Sequence, residues 1–239
     1  MGPHGDGRRT RATGDGDPGT GLPLGVSGSV PVPIEVAPAT STEAEVAAAL
    51  HLSQLPGSFL ALPGGDFLRR LYRRIATTPD SFLLAAHADG SPVGFVAGST
   101  DVSVLYRRFL LRDGVPAALG SAVPLARSWR RGVETLRHGS SGRTGVGRGA
   151  ELLAIAVDPA WQGRGAGRIL VSSFLDELGA RGTDDAYVVV GAENGAAVGL
   201  YEQAGFVVHD HFELHPGTSS LLLQWHRPSP PPAAATDRP

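Results

Sequence analysis

The chain has 239 residues, of which 41% are hydrophobic and 18% charged, with a formal net charge of −2; this suits one domain of good size with tails, or two small ones, and gives no global pull toward nucleic acid or an anionic membrane. Cysteine is absent, which excludes disulfides, thiolate nucleophiles and Cys-ligated zinc. Lysine is absent too, so every basic residue is arginine, and a Walker A lysine, a lysine Schiff base with pyridoxal phosphate and the lysine of protein kinases are excluded.

The opening MGPHGDGRRT has charges but no apolar core of a secretory signal, and Pro3 and Asp6 spoil a myristoylation signal. No apolar run approaches the ~20 residues of a membrane span, and a soluble cytoplasmic protein is expected. Residues 1–30 hold few apolar groups and cannot offset their ordering entropy, so a disordered tail is expected there and, for the Pro/Ala-rich end, at 229–239. The domain is expected over 31–228.

Within it, VPIEVAP (32–38) predicts a first strand. TSTEAEVAAALHLSQ (40–54) opens with a capping signal and continues as a helix. DFLRRLYRRIATTP (66–79) predicts a second helix, with Phe67, Leu68, Leu71, Tyr72 and Ile75 on one face and arginines on the other. SFLLAAHADGSPVGFVAGST (81–100) predicts two strands turning at Asp89-Gly90. SVLYRRFLLRD and LARSWRRGVETLRH, within 102–138, predict two amphipathic helices, and the glycine run SGRTGVGRGA (141–150) a flexible connector. ELLAIAV (151–157) is an almost unbroken apolar strand, as expected where both faces are covered. After WQGRGAG comes a helix through RILVSSFLDELGARG, with Leu170, Phe174 and Leu178 at i, i+4 spacing, then the strand AYVVVGA, a short helix starting at Asn194 and closing at Gly205, and a final hairpin of FVVHDHFEL and SLLLQWHR. The order is mixed α/β.

The stretch 158–168 joins a buried strand to a helix through glycines. A helix N-terminus carries unpaired N–H groups and a positive dipole end, and glycine lets an anion approach the backbone. Arg164 and Arg168 add charge. The dinucleotide fingerprint fails, because Leu170 stands where its third glycine belongs. A nucleotide-binding oxidoreductase is disfavoured accordingly.

VDPAWQGRGAGRIL instead carries Q-x-x-G-x-G at Gln162, Gly165 and Gly167. This resembles the acyl-CoA pyrophosphate loop of the GNAT superfamily of N-acetyltransferases. The preceding AIAVDP and the downstream ENGAAVGLYEQAGF are similar to other parts of that family's pattern, and the resemblance covers roughly 150–208. It implies a GNAT-like acyl-CoA N-acyltransferase fold: a mixed central sheet with splayed central strands, here with a helical insertion at about 102–150 between the third and fourth strands. It implies acetyl-CoA as co-substrate and no metal. The amides of Gly163, Arg164, Gly165, Ala166, Gly167 and Arg168 would hold the pyrophosphate. The 151–157 strand would pair with the pantetheine arm as an added strand. Amides near Ile155, Ala156 and Val157 would bind the acetyl carbonyl and its oxyanion, and Asn194 and Tyr201 would contact the CoA. Glu151 matches the position of a carboxylate base, and Tyr201 that of a general acid near the sulfur. Without a thiol nucleophile, direct transfer in a ternary complex is expected.

Plainer roles stand beside these. Glu151 could begin a strand after a loop, Tyr201 could pack a helix face, Gln162 could be a solvated loop residue, and Asn194 makes an ordinary N-cap compatible with CoA contact. His209 and His211 share a strand face with Glu213, and His215 follows, but nothing completes a metal-ligand set; these histidines could instead line the acceptor pocket. His51 lies on an early helix that borders the acceptor side in the family. Arg69, Arg70, Arg73 and Arg74 are too local for nucleic-acid binding, and no G-x-S-x-G supports a hydrolase. The expected partner is a small-molecule amine, because the insertion would cover the acceptor side or form a subunit interface in a homo-oligomer. No nucleic acid or membrane partner is expected. A protein or peptide N-acetyltransferase and a non-catalytic CoA-binding regulatory module are the alternatives.

Overall fold

The alternation of short apolar runs and amphipathic segments becomes one seven-stranded sheet with helices on both faces. The computed structural model describes residues 32–61, 64–112, 149–215 and 218–229, all in the unit Val32–Pro239. The tail expected at 1–30, most of the tail at 229–239, the second insertion helix and the glycine run to 148 lie outside the described residues.

In chain order the strands are β1 (Glu35–Pro38), β2 (Ser81–Ala88), β3 (Ser91–Ser99), β4 (Ala150–Val157), β5 (Asp185–Gly191), β6 (Val207–His215) and β7 (Thr218–His226). The helices are α1 (Ser41–Gln54), α2 (Gly65–Thr77), α3 (Val102–Arg112), α4 (Ala166–Ala180) and α5 (Gly195–Gln203). The first strand is shorter than the apolar run 32–38 predicts, and α3 forms as the first of the two insertion helices. The spatial order is β1-β2-β3-β4-β5-β7-β6, with every pair antiparallel except β4–β5. Among the described residues no helix is long and apolar enough to cross a membrane.

Local signals act where they stand. Thr40 Oγ1 accepts from the Glu43 N–H at 3.3 Å while the Glu43 carboxylate accepts from the Thr40 N–H at 2.6 Å, closing the capping box of α1. Asp89 and Gly90 take φ of 50° and 71°, the left-handed pair a two-residue hairpin needs between Ala88 and Ser91.

The core has two layers. On one face α4 sets Leu170, Val171, Phe174 and Leu178 against Phe82, Val96, Leu152 and Val188. On the other, Ala44, Ala47 and Ala48 of α1, Leu71 and Tyr72 of α2 and Leu105 of α3 cover Leu83, Phe95, Ala154 and Ala156. The small side chains of α1 leave no bulk between that helix and the sheet.

Two features of β4 position the site. Opposite Ala97 and Gly98 of β3 the register slips by one residue, so Leu153 and Ala154 both pack on the α1 side. This bulge reverses the phase of the strand: Leu152 faces α4, and so do Ile155 and Val157 beyond the bulge. In addition, β4 pairs with β5 only at Ala150–Ala186 and Glu151–Tyr187. Beyond that rung the central strands splay, as the fold expectation required.

Gly98 lies under two rings. A Cβ there would stand 2.5 Å from Phe82 Cζ and 2.6 Å from Phe174 Cε2. Overpacking of this kind costs about 1–3 kcal/mol. Gly98→Ala is therefore expected to lower the melting temperature by several degrees, at roughly 2–4 °C per kcal/mol. An unchanged melting curve would show that the rings yield freely.

Candidate active site

The segment leaving β4 is shaped residue by residue. Asp158 Oδ1 accepts from the Ala160 N–H at 2.9 Å, holding a single helical turn at Pro159–Trp161. Gln162 Nε2 then donates to the Val157 carbonyl at 3.0 Å and to Gln54 Oε1 of α1 at 3.3 Å. Gly163 and Gly165 take φ of 72° and 88°, which disfavours any side chain, and no atom lies within 4 Å of either missing Cβ. The Arg164 guanidinium lies 5.0 Å from the centroid of Trp161. Arg168 Nη2 donates to Gln203 Oε1 of α5 at 2.8 Å.

The N-terminus of α4 differs from those of α1 and α5, and like that of α2, which opens on Gly64, it has no side-chain cap. Thr40 caps α1, and Asn194 Oδ1 caps α5 by accepting from the Ala197 N–H at 3.1 Å. Gly165 caps α4 with no side chain, and the first helical hydrogen bond runs from Ile169 N–H to the Gly165 carbonyl at 3.1 Å. The amides of Ala166, Gly167 and Arg168 precede that bond and have no helical acceptor. Together with Gly163, Arg164 and Gly165 they form a rim that suits an anion, with Gly163, Arg164 and Arg168 exposed, Gly165 and Gly167 half-buried and the Ala166 side chain buried.

The splayed edge of β4 leads to this rim. Asp158 N–H donates to the Val93 carbonyl at 2.8 Å, which fixes the alternation of the strand. Ala156 therefore turns its amide toward β3, while Ile155 and Val157 turn theirs toward the opening where β5 no longer pairs.

Glu151 sits on the last shared rung, 2% exposed, and its Oε2 accepts from Tyr187 Oη at 2.8 Å. Burial pushes its pKa up to about 7, against the pull of the Tyr187 hydrogen bond. Tyr106 of α3 is near enough that, after burial, the Glu151 charge also raises its phenol. Tyr201 packs instead in the α4-side core, its ring 5.7 Å from Phe206 and its phenol pushed up by burial. It is thus a protonated donor at neutral pH. Its helix ends on Gly205, at φ 91°, with Phe206 N–H returning to the Tyr201 carbonyl. Glu151 and Tyr201 therefore stand on opposite faces of the sheet, and the β4–β5 opening lies between those faces.

The histidines fall elsewhere. His51 is fully buried, with Nδ1 2.6 Å from Tyr72 Oη and Nε2 2.5 Å from Ser58 Oγ, and burial lowers its pKa to about 4. It is a neutral ring with both nitrogens engaged. His209 and His211 are exposed on the outermost strand, and the side chain of His215 lies outside the described residues. Among the described residues no group of three or more His, Asp and Glu could hold a metal ion. Arg69 pairs with Asp66 and Arg73 with Glu45, as on a solvated helix face.

Sequence reasoning passed over three participants. Tyr187 reads as one apolar residue of a buried strand, Tyr106 as part of an amphipathic stripe and Gln54 as a helix end. A hydroxyl-bearing ring within the valine-rich run of β5 was the available signal.

Comparison with known proteins places these features in a family. The acetyltransferase (GNAT) family matches residues 49–206. The ribosomal protein bS18-alanine N-acetyltransferase of Salmonella typhimurium is 49% identical over 57 residues, 24% of this chain and 38% of that relative. Mycothiol acetyltransferase of Beutenbergia cavernae is 48% identical over 56 residues, 23% of this chain and 19% of that relative. The matches thus span well under half of either curated relative. Among solved structures, a GNAT-family acetyltransferase from Streptococcus pneumoniae aligns with TM-score 0.53 at 18% identity over 82% of this chain and 100% of its own. The structure of yncA from Salmonella typhimurium, solved with its cofactor acetyl-CoA, aligns with TM-score 0.54 at 14% identity over 84% and 98%.

The burial of Glu151 has a consequence for stability. Between its ordinary 4.5 and about 7 the folded chain binds the proton that the unfolded chain releases, so stability falls as pH rises through that window. Glu151→Gln removes this penalty. Its melting temperature relative to wild type is expected to improve from about pH 5 to about pH 8, by the equivalent of roughly 1–3 kcal/mol. A gap independent of pH would mean that Glu151 titrates as an ordinary carboxylate.

Proposed function

The chain belongs to the acetyltransferase (GNAT) family, and from that premise we propose that it transfers the acetyl group of acetyl-CoA to the amine of a small-molecule acceptor by direct attack in a ternary complex. One observation carries this reading. A carboxylate tuned to about 7 is buried at the rung where β4 and β5 part, beside the free edge of β4.

Each residue then has a task. The amides from Gly163 to Arg168, with the positive end of α4 behind them, hold the pyrophosphate of the co-substrate. The free edge of β4 pairs with the pantetheine arm. The Ile155 and Val157 amides, which face the opening, donate to the thioester carbonyl and stabilise the oxyanion that forms there. Asn194 caps α5 with its oxygen and keeps its amide nitrogen for the CoA arm. Glu151 takes the proton that the acceptor ammonium must lose before nitrogen can attack. As the nitrogen–carbon bond forms and the carbon–sulfur bond breaks, Tyr201 donates a proton to the leaving sulfur and is restored by the second proton that the acylated nitrogen loses, so the net proton released is the one held by Glu151.

The burial of Glu151 supports a small acceptor, because a groove open to an extended peptide would wet the base. The helix α3 adds cover on that side. The relative that acts on a ribosomal protein alanine favours a peptide N-terminus as the second reading.

A panel of small amines and peptide N-termini, followed by release of free CoA, separates the two. Small amines are expected to turn over faster; exclusive use of peptide N-termini would reverse the assignment. Glu151→Gln is expected to lower kcat by about 10²–10⁴-fold while acetyl-CoA affinity stays within a few-fold. A wild-type chain that binds CoA without turnover on any amine would instead be a regulatory module. Gly165→Ala, strained at φ 88°, is expected to weaken acetyl-CoA binding by calorimetry about tenfold, roughly 1.4 kcal/mol. Unaltered affinity would remove the loop from the binding site.

A further inference from the structure

Glu151 has an unusual set of neighbours for a buried carboxylate. Among the described residues no cation pairs with it, and its one hydrogen-bond donor is the Tyr187 hydroxyl at 2.8 Å. The two residues are register partners on adjacent strands, 2% and 5% exposed, at the last rung of the β4–β5 ladder. Gln224 of β7, the register partner of Tyr187, is partly buried, and the other polar groups nearby are occupied or of the wrong character. Ser99, the register partner from β3, gives its hydroxyl to the Asp80 carbonyl at 2.9 Å. Tyr106 of α3 feels the Glu151 charge as repulsion of its own ionised form. Tyr72 of α2 is bound to His51 of α1, which is neutral. The Tyr187 bond is to Oε2, and no hydrogen bond to Oε1 is found among the described residues, so Oε1 can accept from an incoming amine.

We propose that Tyr187 is the positioning residue of the base: its hydroxyl holds Glu151 Oε2 at the mouth of the opening, turns Oε1 to the acceptor and favours the charged form of the carboxylate. The proposal rests on the reading of Glu151 as the base. Burial alone would leave the carboxyl protonated and unable to accept, whereas a cation beside it would leave it ionised but too weak a base. A neutral donor bound to the charged form counters burial without adding charge. The donor belongs to β5 and the acceptor to β4, so the same bond also joins the two strands where they begin to part.

The test uses the full chain labelled with carbon-13 at glutamate carboxyls, with Glu151→Gln as the subtraction control. Wild type and Tyr187→Phe are titrated by infrared difference spectroscopy. The Glu151 midpoint is expected to rise by about one pH unit in Tyr187→Phe, because the lost bond favoured the ionised form. The acid limb of kcat/KM, measured with the best amine of the panel, is expected to move upward with it, giving roughly tenfold lower activity below the limb and recovery above it. A ring-fluorinated tyrosine at position 187, a stronger donor of the same shape, is expected to move both downward. This second variant keeps the test open if Tyr187→Phe folds poorly. A midpoint and limb that stay in place in both variants, with Glu151→Gln inactive, would overturn the role of Tyr187 and leave the base intact. Wild-type turnover by Glu151→Gln would overturn the base itself.

Discussion

The candidate site depends on how little of β4 is joined to β5. Ala150 and Glu151 find partners, and past them the strands separate. The closed end is fixed by backbone: Gly149, at φ 110°, passes so close to Asp185 that any side chain would strike its carbonyl. The open end follows from the bulge at Leu153, two residues past the last rung, since a bulge adds twist and ends regular pairing. A central strand with unpaired amides is costly inside a sheet. It persists here because α1 to α3 on one face and α4 and α5 on the other bury the flanking strands, leaving the polar edge as the lining of an opening. That opening is a demand for a strand-like ligand, written in backbone groups rather than side chains.

Charge in the buried layers is governed by burial first and by partners second. His51 and Glu151 are both buried on the α1 side of the sheet, yet their fates differ. His51 has a hydroxyl on each ring nitrogen, and burial drives it neutral. Glu151 has one donor, which opposes the rise in pKa that burial imposes, and in the proposed reaction this leaves it able to exchange a proton with an amine. The helix ends obey the same logic. Where Thr40 or Asn194 supplies an oxygen the helix end is capped by a side chain; Gly165 of α4, like Gly64 of α2, supplies none, and only at α4 does the uncapped end follow the splayed edge of β4.

What the sequence displayed and what it hid divide by range of interaction. The capping box, the Asp89-Gly90 turn, the glycines before α4 and the Gly205 stop are each decided within four or five residues, and all are readable as written. The unbroken apolar run of β4 is also readable, though its cause is not: the bulge at Leu153 places Leu153 and Ala154 on one face, and only the slip against β3 reveals it. Glu151 was legible as a candidate through its place in a familiar pattern. Its setting was not, because Tyr187 lies 36 residues away in sequence, and the Gln162–Gln54 bond spans 108. No local periodicity encodes such pairs; they appear once strand order and register are known.

The two faces of the sheet divide the labour of the proposed reaction. The anion rim, α4 and Tyr201 belong to one side, and Glu151, Tyr187 and Tyr106 to the other, so donor and acceptor meet in the plane of the sheet. A donor arriving along β4 can present its carbonyl to the Ile155 and Val157 amides only within the gap, which leaves the α1–α3 side for the amine. In the proposed reaction, choice of acceptor then falls to α1, α2 and α3, while the glycine loop, α4 and α5 serve the constant part of the donor. Selection acting on the acceptor can therefore reshape one face of the sheet without disturbing the other, provided the Glu151–Tyr187 rung still holds the two central strands together.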